Sequence, residues 1–383
     1  MTAKIPKHWK IKKLGEIGVF FKGKGVPKNK ITDTGFKCLT YGDLYTKYDF
    51  VIEGVKSFID KETALISQEI RYGDICFAGS GETLEDIGKC ATFIDDKIGY
   101  AGGDIIVFRT EQNPIVMSYL LNSDIAKKQK FSMGQGHSVV HIYSSQLEML
   151  KLPIPPLEEQ KKIAEILLSC DKAIRLTTQI ITQLKQRNQG LAQQLLTGEK
   201  RVKGFEKSVW KEVRLGEIGE VYQPETISQS LLTEKGFKVY GANGVIGYYS
   251  RYNHENEQIA VVCRGSTCGL VNFTEAKSWI TGNAMVINLD GNPNYSKLFV
   301  YEYLKNDNLN YLITGSGQPQ ITSEIKNHII KVPLFKEQNA IAQILDTAHQ
   351  ELKLYEQKLQ LLQAQKKTLM QKLLIGEVLT VKK

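Results

Sequence analysis

What this chain lacks narrows its chemistry. In 383 residues there are only six cysteines, at 38, 76, 90, 170, 263 and 268. None forms a CxxC pair, and Cys263 and Cys268 have no His or Cys cluster beside them, so no metal site is expected and the cysteines read as free thiols. Met1 to Lys10 is polar and has no apolar core of a secretory signal. No uninterrupted apolar run approaches the roughly 18 residues of a membrane span. Together these absences place the expected location in a reducing cytoplasm, with no membrane partner. Phosphate-loop chemistry is excluded as well. Ahead of Gly88-Lys89, position 83 is Thr where glycine is needed, and position 90 is Cys where Ser or Thr is needed.

What is present is basic. Lys and Arg number 50 against 41 Asp and Glu, a net charge of +9 and a pI near 9.0. Such a balance favours a polyanionic partner, nucleic acid first. Hydrophobic content of 42% and charged content of 24% are ordinary for globular protein. At roughly 150 residues per unit, the length suits two to three folding units.

The strongest signal is an internal duplication. Trp9-Lys10 followed by Leu14-Gly15-Glu16-Ile17-Gly18 recurs as Trp210-Lys211 followed by Leu215-Gly216-Glu217-Ile218-Gly219. Tyr119-Leu120-Leu121-Asn122 recurs as Tyr303-Leu304-Lys305-Asn306, and Lys151-Leu152-Pro153 as Lys331-Val332-Pro333. Glu159-Gln160 with Ile163-Ala164 recurs as Glu337-Gln338 with Ile341-Ala342, and Leu195-Leu196-Thr197-Gly198-Glu199 as Leu373-Leu374-Ile375-Gly376-Glu377. The order is the same in both halves. The offset shrinks from 210 − 9 = 201 to 341 − 163 = 178, so the second variable region is the shorter.

Each half reads as a mixed segment followed by a long helix. Short β-rich runs such as Gly73–Phe77, Asp104–Phe108 and Ile259–Cys263 are separated by Gly, Asn and Asp. Helical stretches follow near Ile115–Lys130 and Tyr295–Leu312, giving an α+β domain in each half. After Pro155-Pro156 the apolar positions step by four and three. They are Ile163, Leu167, Cys170, Ile174, Thr177, Ile181, Leu184, Asn188, Leu191 and Leu195. The second stripe is Ile341, Leu345, Ala348, Leu352, Tyr355, Leu359, Leu362, Lys366, Leu369 and Leu373. A sustained 3.5-residue period predicts a coiled-coil seam. Paired in parallel, Asn188 would face Lys366. Paired antiparallel, Lys366 faces Cys170 and Asn188 faces Ala348, so each long polar side chain meets a small one. An antiparallel pair is therefore expected. With helices of about 40 residues, about 60 Å long, it would hold two globular domains at opposite ends.

Candidate contacts to nucleic acid are of three kinds. Lys22, Lys24, Lys28 and Lys30 cluster with Gly23 and Gly25 in a basic loop suited to phosphates, or simply to water. Gln135 and His137, and Gln318 and Gln320, lie in equivalent glycine-rich loops, and glutamine can bond adenine bidentately. Arg251 and Arg264 are further candidates in the second half. His137 and His141 also suit a metal, though a DNA-contacting or solvated loop fits their surroundings better. Phe77-Ala78-Gly79-Ser80-Gly81 looks like the FxGxG loop that holds S-adenosylmethionine in DNA methyltransferases. The companion Asn/Asp-Pro-Pro-aromatic motif is missing, because Ile154–Leu157 has the wrong flanks and Asn292-Pro293-Asn294-Tyr295 lacks the second proline. A glycine-rich turn between strands is the plainer reading.

The segment Leu152-Pro153-Ile154-Pro155-Pro156-Leu157-Glu158-Glu159-Gln160-Lys161-Lys162-Ile163-Ala164 resembles the opening of the spacer helix in type I restriction–modification specificity subunits. Lys331–Gln338 is its shortened second copy, without the double proline, and the openings at Trp9 and Trp210 resemble the starts of that family's target-recognition domains. The resemblance spans essentially the whole chain. It implies recognition domains at 1–155 and 200–334, a spacer helix at 156–199, and a second spacer helix with a tail at 335–383. Each domain would read one half of a bipartite site in double-stranded DNA, and the helices would set the gap. The chain itself would be non-catalytic, with no metal and no cofactor of its own. Two methyltransferase subunits would bring S-adenosylmethionine, and restriction subunits would bring ATP and Mg. Three rivals remain open: an adenine methyltransferase-like enzyme using residues 77–81, a coiled-coil scaffold without DNA preference, and a specificity subunit working only in modification.

Overall fold

The computed structural model describes residues 5–136, 139–315 and 317–378. Packing divides the chain into two units: Met1–Leu176 with Leu359–Lys383, and Thr177–Lys358. Each holds one α+β domain and parts of both long helices.

In the first unit a five-stranded sheet runs in the order Gly18–Lys22, Ile105–Thr110, Ile75–Ala78, Cys90–Phe93, Val51–Ile52. It is antiparallel except for the last pair. Ile75–Ala78 and Cys90–Phe93 are buried at every position, which is why they read as continuous apolar runs rather than alternating ones. Buried Asp74 opens this central strand and is held bidentately by Arg109, with both bonds at 2.7 Å. A four-stranded sheet, Phe58–Ile59, Phe36–Leu39, Gly99–Ala101, Gln68–Ile70, completes the domain. Lys10–Lys13 pairs antiparallel with Lys151–Ile154, so the start of the domain is tied to the strand that feeds the long helix.

The second unit repeats the plan. Glu220–Tyr222, Ala284–Asn288, Ile259–Val262 and Val271–Phe273 form one sheet, and Gly244–Tyr249, Phe237–Gly241 and Trp279–Ile280 the other. Lys211–Arg214 pairs with Ile329–Val332. The repeated Leu-Gly-Glu-Ile-Gly folds as a short helical turn that buries Leu14 and Leu215 completely. Its last glycine is required by close approach: a Cβ at Gly18 would lie 2.5 Å from the Arg109 carbonyl, and one at Gly219 2.5 Å from that of Asn288. Most of the shortening, 201 − 184 = 17 of 201 − 178 = 23 residues, falls in one interval. Leu39 and Tyr240 are equivalent at 240 − 39 = 201, whereas Ile75 and Ile259 are equivalent at 259 − 75 = 184. The first domain carries the helices Tyr41–Thr46 and Lys61–Ile66 in that interval, where the second has a hairpin strand, Gly244–Tyr249.

The helical stretch expected near 115–130 is two helices, Pro114–Leu121 and Asp124–Met133. Ser123 breaks it by capping the second one through Ala126 N. Its counterpart is Lys297–Asn306 followed by a 3-10 turn at Asn310–Leu312.

The long helices run Leu157–Leu196 and Phe335–Leu374. Within the second unit they are antiparallel: Lys185 pairs with Glu356 (3.0 Å), Arg187 with Glu351 (2.7 Å), and Asn188 donates to the Ala348 carbonyl (2.8 Å). Within the first unit Lys366 pairs with Asp171, one residue beyond the expected Cys170, and lies 4.4 Å from the Phe50 ring and 5.2 Å from the Tyr119 ring. Along the stripes Ile163, Leu167, Ile181, Leu184, Ile341 and Leu345 are buried, whereas Ile174, Leu191, Leu352, Leu359, Leu362 and Leu369 are half-buried. Ile163, Leu167, Ile341 and Leu345 are also part of the domain cores, whereas Ile181 and Leu184 lie outside them, at mid-helix.

Candidate nucleic-acid interface

The duplicated Glu-Gln pair is structural. Gln160 accepts from Asn113 N (2.8 Å) and donates to the Pro155 carbonyl (2.7 Å); Gln338 accepts from Ser296 N (2.8 Å) and donates to the Pro333 carbonyl (2.9 Å). Each glutamine ties the start of a long helix to the start of its domain's own helix. Buried Glu159 takes His8 (2.6 Å) and the Trp9 indole (3.1 Å). Fully buried Glu337 takes Arg201 bidentately (2.8 Å twice) and the Ser208 hydroxyl.

The glycine-rich loops are fixed to the segment that follows the central strand, Gly79–Gly81 in the first domain and Cys263–Gly265 in the second. Gln135 and His141 exchange both main-chain bonds (3.0 and 2.7 Å), as Thr314 and Gln320 do (2.9 Å twice). Gly136 at φ +121° and Gly315 at φ +88° turn each tip; a Cβ there would meet the Val139 carbonyl at 2.1 Å or the Gln318 carbonyl at 2.6 Å. Gln135, Gln318, Gln320, Arg264 and His141 are all exposed. The loops are equivalent but the glutamines are not: Gln135 aligns with Thr314, and Gln320 with His141. His137 lies outside the described residues. An internal alignment on Gly136 and Gly315 brings out the His141–Gln320 match, which the residue types alone conceal.

The four lysines are carried by different elements. Exposed Lys22 ends its strand at a cavity of about 290 Å³ lined by Gly79, Ser80, Asp104, His141 and Tyr143 among others. Lys24 lies beside Gly99–Ala101 through its main chain. Lys28 and Lys30 form a 3-10 turn, with Lys30 4.0 Å from Asp60. Arg251 is exposed in the loop after Gly244–Tyr249, on the other sheet of its domain.

The segment at 77–81 is a bend between strands. Ile75–Ala78 ends at Gly79, and Ser80–Gly81 pairs with Val140–His141. Turns at 84–88 follow, and then strand Cys90–Phe93, so the helix that a cofactor loop would need is not there. All six cysteines are free. Burial pushes the Cys38 thiol up to about 12 and Cys90 to about 11, so neither is a reactive nucleophile. Among the described residues no group of three or more His, Cys, Asp or Glu is arranged to hold a metal ion, and no helix is long and apolar enough to cross a membrane.

Two α+β domains on one plan, each feeding a forty-residue helix that pairs antiparallel with the other, define a specificity-subunit architecture. The family model for the type I restriction modification DNA specificity domain matches residues 6–186 and 207–364, and the chain belongs to that family. It is similar to the type I restriction enzyme MjaVIII specificity subunit of Methanocaldococcus jannaschii, at 24% identity over 98% of this chain and 94% of that protein. The EcoprrI specificity subunit of Escherichia coli is 27% identical over 42% of this chain and 40% of its own length. The crystal structure of the type I restriction–modification S subunit from M. genitalium shares the fold, with a TM-score of 0.68 at 18% identity, covering 98% of this chain and 97% of that one.

Proposed function

We propose that this chain reads a two-part site in double-stranded DNA, one half through each domain at 1–155 and 200–334. The paired helices set the unread gap and dock two methyltransferase subunits. Those subunits bind S-adenosylmethionine and methylate adenine; restriction subunits using ATP and Mg complete the larger assembly. The chain supplies recognition and no chemistry.

The observation that carries this reading is the duplication of one exposed hairpin on one buried frame, once in each domain, in a chain of a DNA-specificity family. A duplicated reader suits a site in two halves. The net charge of +9 supplies the phosphate attraction.

Co-expression with a methyltransferase partner, followed by genome-wide mapping of methylated adenine, tests it. The expected result is one split motif with a constant gap. Methylation at random sites favours a scaffold without DNA preference. Tight S-adenosylmethionine binding by the isolated chain favours an enzyme.

A further inference from the structure

The hairpin corners of the two domains share matching main-chain bonds. Ile142 N donates to the Gly79 carbonyl at 3.0 Å, as Ile321 N does to that of Cys263 at 3.0 Å. Gly79 N donates to the Asp104 carbonyl at 2.8 Å, as Cys263 N does to that of Asn283 at 2.9 Å. With the exchanged hairpin bonds, these matches make Ser80 the counterpart of Arg264, Asp104 of Asn283, and His141 of Gln320. Phe21 opposite Val107 and Tyr222 opposite Val286 place Lys22 and Gln223 alike.

At these four places the residue is polar in both domains and identical in neither. The frame around them is kept: Gly136 and Gly315, Ile142 and Ile321, Gly18 and Gly219, Gln160 and Gln338. A fixed frame carrying unlike donor and acceptor sets is what two readers of unlike sequences require. A two-stranded ribbon also fits a major groove about 12 Å wide.

We infer that this corner reads base edges in each half-site, with His141 as the reader in the first domain and the Arg264–Gln320 pair in the second. The inference rests on the DNA-reading role proposed above. Ser80 Oγ bonds His141 Nδ1 at 3.0 Å, which orients the ring and leaves Nε2 as the nitrogen to meet a base. Ser80 is therefore a positioning residue. Arg264 and Gln320 are exposed side by side across an antiparallel bridge. A guanidinium suits guanine and a side-chain amide suits adenine.

The test uses the full chain assembled with its methyltransferase partner. Binding is measured to duplexes in which each base pair of the mapped site is changed singly, and to an unrelated duplex. The variants are His141→Gln and the double change Arg264→Ser with Gln320→His. His141, Arg264 and Gln320 are exposed, so both cores stay intact, and the untouched half-site in the same molecule reports correct folding. Each variant should change base preference about tenfold or more at one or two adjacent positions of its own half-site and nowhere in the other. Unchanged preference at every position overturns the inference. Equal weakening on every duplex, the unrelated one included, also overturns it, because that is the mark of a phosphate contact. If the unaltered complex does not distinguish its mapped site from the unrelated duplex, the DNA-reading role itself fails before any variant is made.

Discussion

Asn188 donates its side-chain amide to the main-chain carbonyl of Ala348, 2.8 Å away on the antiparallel helix. A small residue opposite a polar one leaves room for the amide to reach the backbone, and Arg187 binds the Asn188 oxygen at 2.8 Å from the solvent side. One satisfied polar rung in an apolar seam fixes register. Asn188→Ala should cost about 1 kcal/mol in urea unfolding followed by circular dichroism. An unchanged midpoint would show that this rung contributes nothing to the pair.

The corresponding rung of the first unit is Lys366. Its ammonium pairs with Asp171 and faces two stacked rings, Phe50 and Tyr119, whose centroids are 4.1 Å apart. Tyr119 also donates to Asp171, and burial with that neighbouring charge pushes its hydroxyl well above the usual range. Lys366→Met should lose about 1–3 kcal/mol. A double-mutant cycle with Asp171→Asn should be clearly non-additive; simple additivity would deny the coupling.

Arg201 neutralises the fully buried Glu337, and the bidentate bond raises the guanidinium above its ordinary value. Arg201→Ala leaves a buried carboxylate with only Ser208, at a cost of about 3–5 kcal/mol. Adding Glu337→Gln should recover part of that loss. No recovery would show that packing of Arg201 over Trp210, at 5.7 Å, matters more than charge.

Much of this was legible in the sequence, and for physical reasons. The 3.5-residue stripe marked both helices because a seam must keep facing its partner over many turns. Pairing direction followed from matching Asn188 to Ala348; Lys366, expected opposite Cys170, instead meets Asp171 and the rings of Phe50 and Tyr119. The glycines of the repeated openings were legible because only glycine fits beneath the carbonyls of Arg109 and Asn288. The interface was harder. Four lysines close in sequence sit on different elements: Lys22 at the end of Gly18–Lys22, Lys24 beside Gly99–Ala101, and Lys28 and Lys30 in a 3-10 turn. His141 and Gln320 share a place through hairpin register, for which the only mark in the sequence is their common five-residue distance from Gly136 and Gly315. The break at Ser123 was masked by apolar residues on both sides.

His254, buried in the second domain, holds its neutral tautomer. Asn253 Oδ1 already accepts from Ile280 N (2.9 Å), so the imidazole Nδ1–H donates to it at 2.6 Å, while the Tyr222 hydroxyl donates to Nε2 at 3.0 Å. Burial lowers its pKa from the ordinary 6.5, and burial lowers that of His328 too. The unfolded chain then binds protons that the folded one refuses, so stability present above 6.5 is lost as pH falls from 6.5 towards the folded values. Urea midpoints of the wild type should drop between pH 7.5 and 5.5, and His254→Gln should flatten part of that drop. An identical pH slope in the variant would contradict this assignment.

Lengthening both long helices together tests whether they set the spacing of the two half-sites. Seven residues are added between Lys172 and Gln193, with seven at the matching level of Phe335–Leu374, and the methylated motif is mapped again. One heptad adds about 10.5 Å of helix, about three base pairs of duplex. A wider gap between two unchanged half-sites is expected. An unchanged gap, or altered half-sites, would contradict it.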